Sequence, residues 1–136
     1  MAGVHFKYDS FKQLIRLNIG LAGRFDEGRA ENLTLLYCDF SEIDDMDIEN
    51  SLQEVLRNSD SLVNKGNDFY FLLPYTDKYG AETVRKMFSD FFDKDFAHLV
   101  VSYPVDGEDT DELTQYLQNA VKKFCNNDIS YLDELN

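Results

Sequence analysis

Basic residues are scarce in this sequence, and acidic residues outnumber them two to one. The 136-residue chain carries 13 Lys and Arg against 26 Asp and Glu, which gives a formal net charge of −13. Nucleic acids and anionic membrane surfaces are bound through basic patches, so we expect neither as a partner. The charge is compatible with a basic partner, but a solvated acidic surface is the simpler interpretation.

Cysteines and long apolar runs are also few. The two cysteines, Cys38 and Cys125, cannot form a disulfide framework, and Cys38 lies in an apolar run where a buried thiol is expected. No apolar stretch approaches the ~20 residues that span a bilayer. Residues 1–11 lack the apolar region and the cleavage site of a signal peptide. We therefore expect a cytoplasmic protein with free thiols and no membrane segment.

Apolar material for one core is nevertheless present. Trp is missing, but 11 Phe and 8 Tyr contribute to a hydrophobic fraction of 43%. This composition is typical of a globular domain and too apolar for a disordered chain. A length of 136 residues fits a single domain.

The spacing of apolar residues predicts short strands that alternate with amphipathic helices. The expected strands cover residues 33–37, 61–64, 69–73 and 98–103, and the expected helices begin near residues 11, 48, 77 and 109. The four residues between the second and third strands include Gly, Asn and Asp, which tolerate positive φ and indicate a tight hairpin. The order predicts an α+β, ferredoxin-like β-α-β-β-α-β fold, preceded by an N-terminal helix. Its sheet would be antiparallel with helices on one face.

We divide the chain into an N-terminal helix and loop (1–32), a central domain (33–125) and an acidic C-terminal tail (126–136). The start of the first segment, which includes His5, is expected to be mobile. The tail is either a loose extension or a short helix that docks through Ile129, Leu132 and Leu135.

Several short motifs of the central domain follow one another in a specific order. Arg57 and Asp60 form an Arg-x-x-Asp motif, the hairpin Gly66-Asn67-Asp68-Phe69 follows it, and the next strand ends in Leu72-Leu73-Pro74. This series resembles the GGDEF family of diguanylate cyclases, and Leu33–Phe40 is similar to the family's first strand, which ends in a metal-binding aspartate. The resemblance covers about residues 33–124 and implies a palm like that of the nucleotide cyclases.

The resemblance also implies a site for Mg²⁺. In the family two carboxylates hold divalent cations against the triphosphate of GTP. Asp39 matches the first carboxylate. Asp68 matches the second when the hairpin is aligned from Asp60, whereas alignment from Leu72-Leu73-Pro74 places Asn67 there. We therefore treat Asp39 and Asp68 as a vestigial metal site, with the alternative that Asp39 only caps a turn or the next helix.

Other residues that the family uses are absent. The second glycine of the hairpin, which allows backbone to approach the nucleotide, is replaced by Asn67 or deleted. The path from Asp39 to Ser51 is too short to hold the guanine-binding residues, and Cys125 stands where the family has a phosphate-binding lysine. A site that recognises a base by hydrogen bonds loses specificity steeply without its partners, so we predict no diguanylate cyclase activity.

The main functional prediction is a catalytically inactive regulatory or protein-interaction domain in bacterial signalling, acting as a monomer or homodimer. It requires no cofactor and has a protein partner. The acidic stretch from Glu42 to Glu49 is a candidate contact surface for that partner, or else a solvated loop.

Two alternatives remain. Arg57 and Asp60 match the inhibitory Arg-x-x-Asp site at which family members bind cyclic di-GMP, so the domain could be a receptor for that nucleotide. In a purely structural role, the same residues would end a helix and begin a strand. The second alternative is a divergent enzyme that uses Asp39 and Asp68 with Mg²⁺ on another nucleotide.

Overall fold

The computed structural model describes residues 3–25 and 30–135. Its regular elements, in chain order, are β1 (Val4–His5), α1 (Phe11–Phe25), β2 (Leu33–Asp39), α2 (Asp45–Val55), β3 (Ser61–Lys65), β4 (Asp68–Pro74), α3 (Lys78–Phe92), β5 (His98–Tyr103) and α4 (Thr110–Ala120). A π-helical turn (Val121–Cys125) extends α4, and 3-10 turns cover Tyr8–Ser10 and Ser130–Glu134. Residues 26–29, which belong to the loop predicted at the end of the N-terminal segment (1–32), lie outside the described residues.

The five strands form one sheet in the order β1-β3-β4-β2-β5. β2 lies between β4 and β5 and is antiparallel to both, and β3 and β4 form the expected hairpin. β2 to β5, with α2 and α3, give the predicted β-α-β-β-α-β core, so the α+β fold class is confirmed.

Helices cover both faces of this sheet: the two helices of the predicted core share one face, as expected, and the remaining helices cover the other. α2 and α3 pack on one face against Leu36, Phe71 and neighbouring residues. α1, α4 and the C-terminal tail pack on the other face, around Tyr37 and Tyr70. The central strands are apolar on both faces, and such strands need a cover on each side.

The N-terminal segment contributes a strand that the sequence analysis did not predict. Residues expected to be mobile form β1, which pairs in parallel with β3, so the sheet is mixed rather than wholly antiparallel. The backbone N–H of Val4 donates to the carbonyl of Asp60. Gly3 precedes the strand with φ +79°, and a Cβ there would lie 2.8 Å from a methyl carbon of Leu56, so only glycine fits without rearrangement.

Acidic side chains begin three of the helices. The carboxylates of Asp44, Asp77 and Asp109 accept hydrogen bonds from backbone N–H groups in the first turns of α2, α3 and α4. These bonds satisfy donors that the helix itself leaves free. Part of the acidic composition is therefore explained by capping.

The C-terminal tail docks on the same core as α1 and α4. Ile129 and Leu132 are buried there, as expected for a docking segment. The regular structure within the tail is a 3-10 turn. Phe124 continues the apolar spacing of the last helix in the sequence, but it is 69% exposed. The π-helical turn at Val121–Cys125 rotates the helix out of register with its apolar stripe. None of the helices in residues 3–25 and 30–135 has both the length and the apolar character needed to cross a membrane.

Candidate functional site

The signature hairpin is the element on which the candidate site is built. Gly66 and Asn67 form a two-residue turn between β3 and β4, and Gly66 has φ +58°, a conformation that glycine adopts without strain. The carbonyl of Asn67 accepts a hydrogen bond of 2.9 Å from the backbone N–H of Phe40. This bond fixes the turn against the end of β2.

Asp39 and Asp68 are direct cross-strand neighbours. The register of β2 and β4 places them opposite each other at the last residue of one strand and the first of the other. Side chains of such a pair lie on the same face of the sheet, and like charges in this position destabilise it. The structure thus brings the two predicted carboxylates together, and neighbouring donors must offset their repulsion.

Three donors satisfy the Asp68 carboxylate. The hydroxyl of Tyr37 donates to Oδ1 at 2.8 Å, and the hydroxyl of Tyr131 donates to Oδ2 at 2.8 Å. The side-chain amide of Asn127 donates to Oδ1 at 3.1 Å and to the Tyr37 hydroxyl at 2.7 Å. The hydroxyls of Tyr131 and Tyr70 also share a hydrogen bond. Asn127 and Tyr131 belong to the C-terminal tail, so the tail covers the carboxylate of Asp68.

The tyrosines of this network keep their protons. Burial raises the pKa of Tyr37, and the hydrogen bond to Asp68 raises it further. Burial also raises the pKa of Tyr70 and of Tyr131. The hydroxyls therefore remain neutral donors over the whole physiological range.

This arrangement does not fit a divalent cation at Asp68. A carboxylate offers about four lone-pair positions, and hydroxyl and amide hydrogens point at both oxygens of Asp68. The Asp39 carboxylate accepts a hydrogen bond from the backbone N–H of Ser41 at 3.0 Å. This is the contact expected if Asp39 only caps a turn. Within the described part of the chain, no group of three His, Cys, Asp or Glu side chains could hold a metal ion. The metal role stays a prediction that this geometry does not favour.

A cleft of about 430 Å³ lies on the opposite face of the sheet, between the hairpin and α2. Asp45 and Glu49 line it from α2, and Gly66 and Asn67 line it from the turn. His5 also lines it and is hydrogen-bonded through Nε2 to the Oδ1 atom of Asn64 at 2.7 Å. Two carboxylates face this cleft, and none of its lining residues is Lys or Arg.

Arg57 and Asp60 form an internal ion pair. The Nη2 atom of Arg57 lies 2.9 Å from Oδ1 of Asp60, and it also donates to the carbonyl of Pro74 and to the hydroxyl of Thr76. Asp60 is 1% exposed, whereas the side chain of Arg57 is 54% exposed. The pair joins the loop after α2 to the loop after β4, which is a structural role for both residues.

Sequence reasoning found the two carboxylates but missed their partners. Tyr37 lies two residues before Asp39 and therefore on the same face of β2, which is a local signal for its proximity. Asn127 and Tyr131 carry no such signal, because their contacts with Asp68 depend on the path of the tail across the sheet.

The tyrosine network predicts a loss of stability at alkaline pH. Unfolded tyrosines titrate near pH 10, and the folded ones hold their protons above that, so the free energy of unfolding falls as the pH rises through this range. We expect Tyr131→Phe to reduce the fall between pH 9 and pH 11 by about 1 kcal/mol, because one protected hydroxyl is removed. Urea unfolding at both pH values measures it. Tyr79→Phe, at a side chain 82% exposed, should leave the fall unchanged; an equal effect of both variants would contradict the prediction.

Comparison with solved structures identifies the fold. The chain is similar to a truncated TpbB (YfiN) of Pseudomonas aeruginosa that comprises only its GGDEF domain, with 17% identity, TM-score 0.63, and coverage of 86% of this chain and 84% of that one. It is also similar to a sensory box/GGDEF family protein of Caulobacter crescentus, with 15% identity, TM-score 0.63, and coverage of 89% and 93%. Comparison of the sequence with protein-family models and with curated proteins finds no match. The chain therefore has the GGDEF-like, nucleotide-cyclase type of fold.

Proposed function

We propose that this domain is a catalytically inactive GGDEF-like module that acts through protein interaction. The observation that carries the proposal is the acidic cleft beside the hairpin. A triphosphate in this cleft would meet the carboxylates of Asp45 and Glu49, and like charges at close range repel strongly where water is partly excluded.

The lysine beside the hairpin turn is held on the other face of the sheet. The ammonium group of Lys65 lies 5.0 Å and 5.4 Å from the ring centroids of Tyr8 and Tyr131, on the face that the tail covers. Lys123 lies over the ring of Phe124, beyond the end of α4. Neither offers its charge to a nucleotide between the hairpin and α2.

The acidic stretch from Glu42 to Glu49 supports a protein contact in place of a nucleotide contact. Met46 lies within it and is 71% exposed, so an apolar side chain stands among carboxylates. A basic partner surface with an apolar pocket would complement this combination. The capping role of Asp44 accounts for one of these acids. The other four are exposed.

A cyclic di-GMP receptor is the second candidate, and the exposure of Arg57 favours it. More than half of this side chain is accessible, so its outer edge could meet a phosphate. The buried Asp60 would act by orienting Arg57 rather than by contacting the base.

Calorimetric titration of the full chain separates these functions. We expect GTP and ATP, each with Mg²⁺, to bind weakly, with a Kd above about 1 mM. The double variant Asp45→Lys, Glu49→Lys should bind GTP more tightly than the wild type, because the repulsive charges are reversed. Tight Mg²⁺-dependent GTP binding by the wild type would contradict the proposal. Binding of cyclic di-GMP that Arg57→Lys weakens and Asp45→Lys leaves unchanged would select the receptor.

A further inference from the structure

The C-terminal segment 126–135 crosses the face of the sheet that carries Asp68. Ile129 is 1% exposed and Leu132 is fully buried, and both belong to the core formed with α1 and α4. At the end of the segment, the carbonyl of Leu135 accepts a hydrogen bond from the ammonium group of Lys12 at 3.3 Å. The segment is thus held by apolar side chains along its length and by a polar contact at its end.

Tyr131 makes contacts through its hydroxyl, its carbonyl and its ring. Its hydroxyl donates to Asp68, its carbonyl accepts from the hydroxyl of Tyr8 at 3.3 Å, and the ring of Tyr8 packs edge-on against its ring at 5.6 Å. Lys65 lies over both rings. Tyr131 and Asn127 thus give the segment two polar groups that donate hydrogen bonds to the same carboxylate, that of Asp68.

We infer that this face of the sheet is a binding groove for the chain's own C-terminal segment, and that Asp68 is the residue that recognises it in place of a role as cation ligand. The pattern that the groove accepts is an amide donor, an apolar residue, a tyrosine and a second apolar residue: Asn127, Ile129, Tyr131 and Leu132.

A carboxylate suits this recognition because it accepts several hydrogen bonds at once. Hydrogen bonds to an ionised acceptor are stronger than those between neutral groups. A cation held by both oxygens of Asp68 would have to displace the hydroxyl of Tyr131 and the amide of Asn127, so such binding and docking of the segment exclude each other.

The segment of the same chain is the favoured occupant. The π-helical turn ends at Cys125, and Asn127 follows two residues later, so the tether is very short. A short tether gives an effective concentration in the millimolar range, above that of a second copy in dilute solution. The inference does not depend on the proposed function, because it concerns a contact within the chain.

Hydrogen exchange of the full chain, measured by mass spectrometry, tests the inference. In Asp68→Ala the amides of residues 130–135 should exchange at least about tenfold faster than in the wild type, because the docked state loses two of its polar anchors. Asp39→Ala is the matched control: it removes the neighbouring carboxylate, which accepts a hydrogen bond from the backbone N–H of Ser41 in its own turn, and should leave these amides within about twofold of the wild type.

Variants on the segment itself keep the test valid if Asp68→Ala unfolds. Asn127→Ala and Tyr131→Phe should each accelerate exchange of the same amides, and the rates should not depend on protein concentration. Unchanged exchange in all three variants would overturn the inference. Slower exchange at higher protein concentration would also overturn it, in favour of a second copy. So would acceleration by 1 mM Mn²⁺ in the wild type but not in Asp68→Ala, because it would make Asp68 a cation ligand.

Discussion

Phe40→Ala is expected to lower the free energy of unfolding by about 4 kcal/mol, as large-to-small substitutions of fully buried aromatic residues do. Phe40 is fully buried directly after β2. Its ring contacts five others, which come from β4, α3 and the loop before β5: Phe69, Phe71, Phe88, Phe92 and Phe96. The alanine would leave a cavity at the point where these elements meet.

The effect should extend to the candidate site, because the backbone N–H of residue 40 bonds to the carbonyl of Asn67 and the cavity would let this backbone shift. Urea unfolding at neutral pH measures the loss of stability. Phe91→Ala is the matched control: that ring is 41% exposed and should cost less than about 1 kcal/mol. Equal costs for the two variants would show that the rings around Phe40 do not form the core of this face.

Arg57→Ala is expected to lower the free energy of unfolding by about 2–3 kcal/mol. The buried carboxylate of Asp60 would lose the guanidinium group and keep, from residue 57, the backbone N–H as a donor. That bond is 2.8 Å long, and the lost contacts include those to Pro74 and Thr76 across the neighbouring loop. The lost bonds should loosen the loop between β4 and α3 as well as the loop after α2. Thermal and urea unfolding measure the cost.

The matched variant Arg57→Lys keeps a positive charge but not the planar donor group, so it should recover less than half of the loss. A cost below about 0.5 kcal/mol for Arg57→Ala would place the pair among surface ion pairs of little effect. The prediction also matters for the receptor candidate, since weaker cyclic di-GMP binding by Arg57→Lys has meaning only where that variant is fully folded.

The elements of the central domain could be predicted because their signals are local. β5 begins and ends at the expected residues, and α3 begins directly after its capping residue Asp77. The two-residue turn at Gly66 follows from the conformational freedom of glycine. The pattern of short apolar strands and amphipathic helices was therefore sufficient for the fold class.

The second helical layer and the ends of the chain could not be predicted in the same way. Nothing local in Val4 and His5 indicates a parallel pairing with β3, which lies more than fifty residues away. A helical stripe shows that α1 and α4 have an apolar side, but it does not show which face of the sheet that side meets. The two apolar faces of β2 indicate that a second covering layer is needed, beyond the face that the two core helices cover.

For the candidate site, the sequence indicated the carboxylates and not their environment. The resemblance brought Asp39 and Asp68 together as a metal site, and the register places them side by side. Whether such a pair binds a cation depends on the groups that face it, and Tyr131 comes from a segment 63 residues later. The role of a carboxylate is thus set by non-local contacts.

Incubation of the full chain with GTP and Mg²⁺ or Mn²⁺, followed by chromatographic analysis of the nucleotides, tests the central claim most directly. An active diguanylate cyclase under the same conditions serves as the positive control. We predict that GTP remains unconverted at every time point at which the control has formed cyclic di-GMP. Formation of a cyclic dinucleotide by this chain, abolished in Asp68→Asn, would contradict the account.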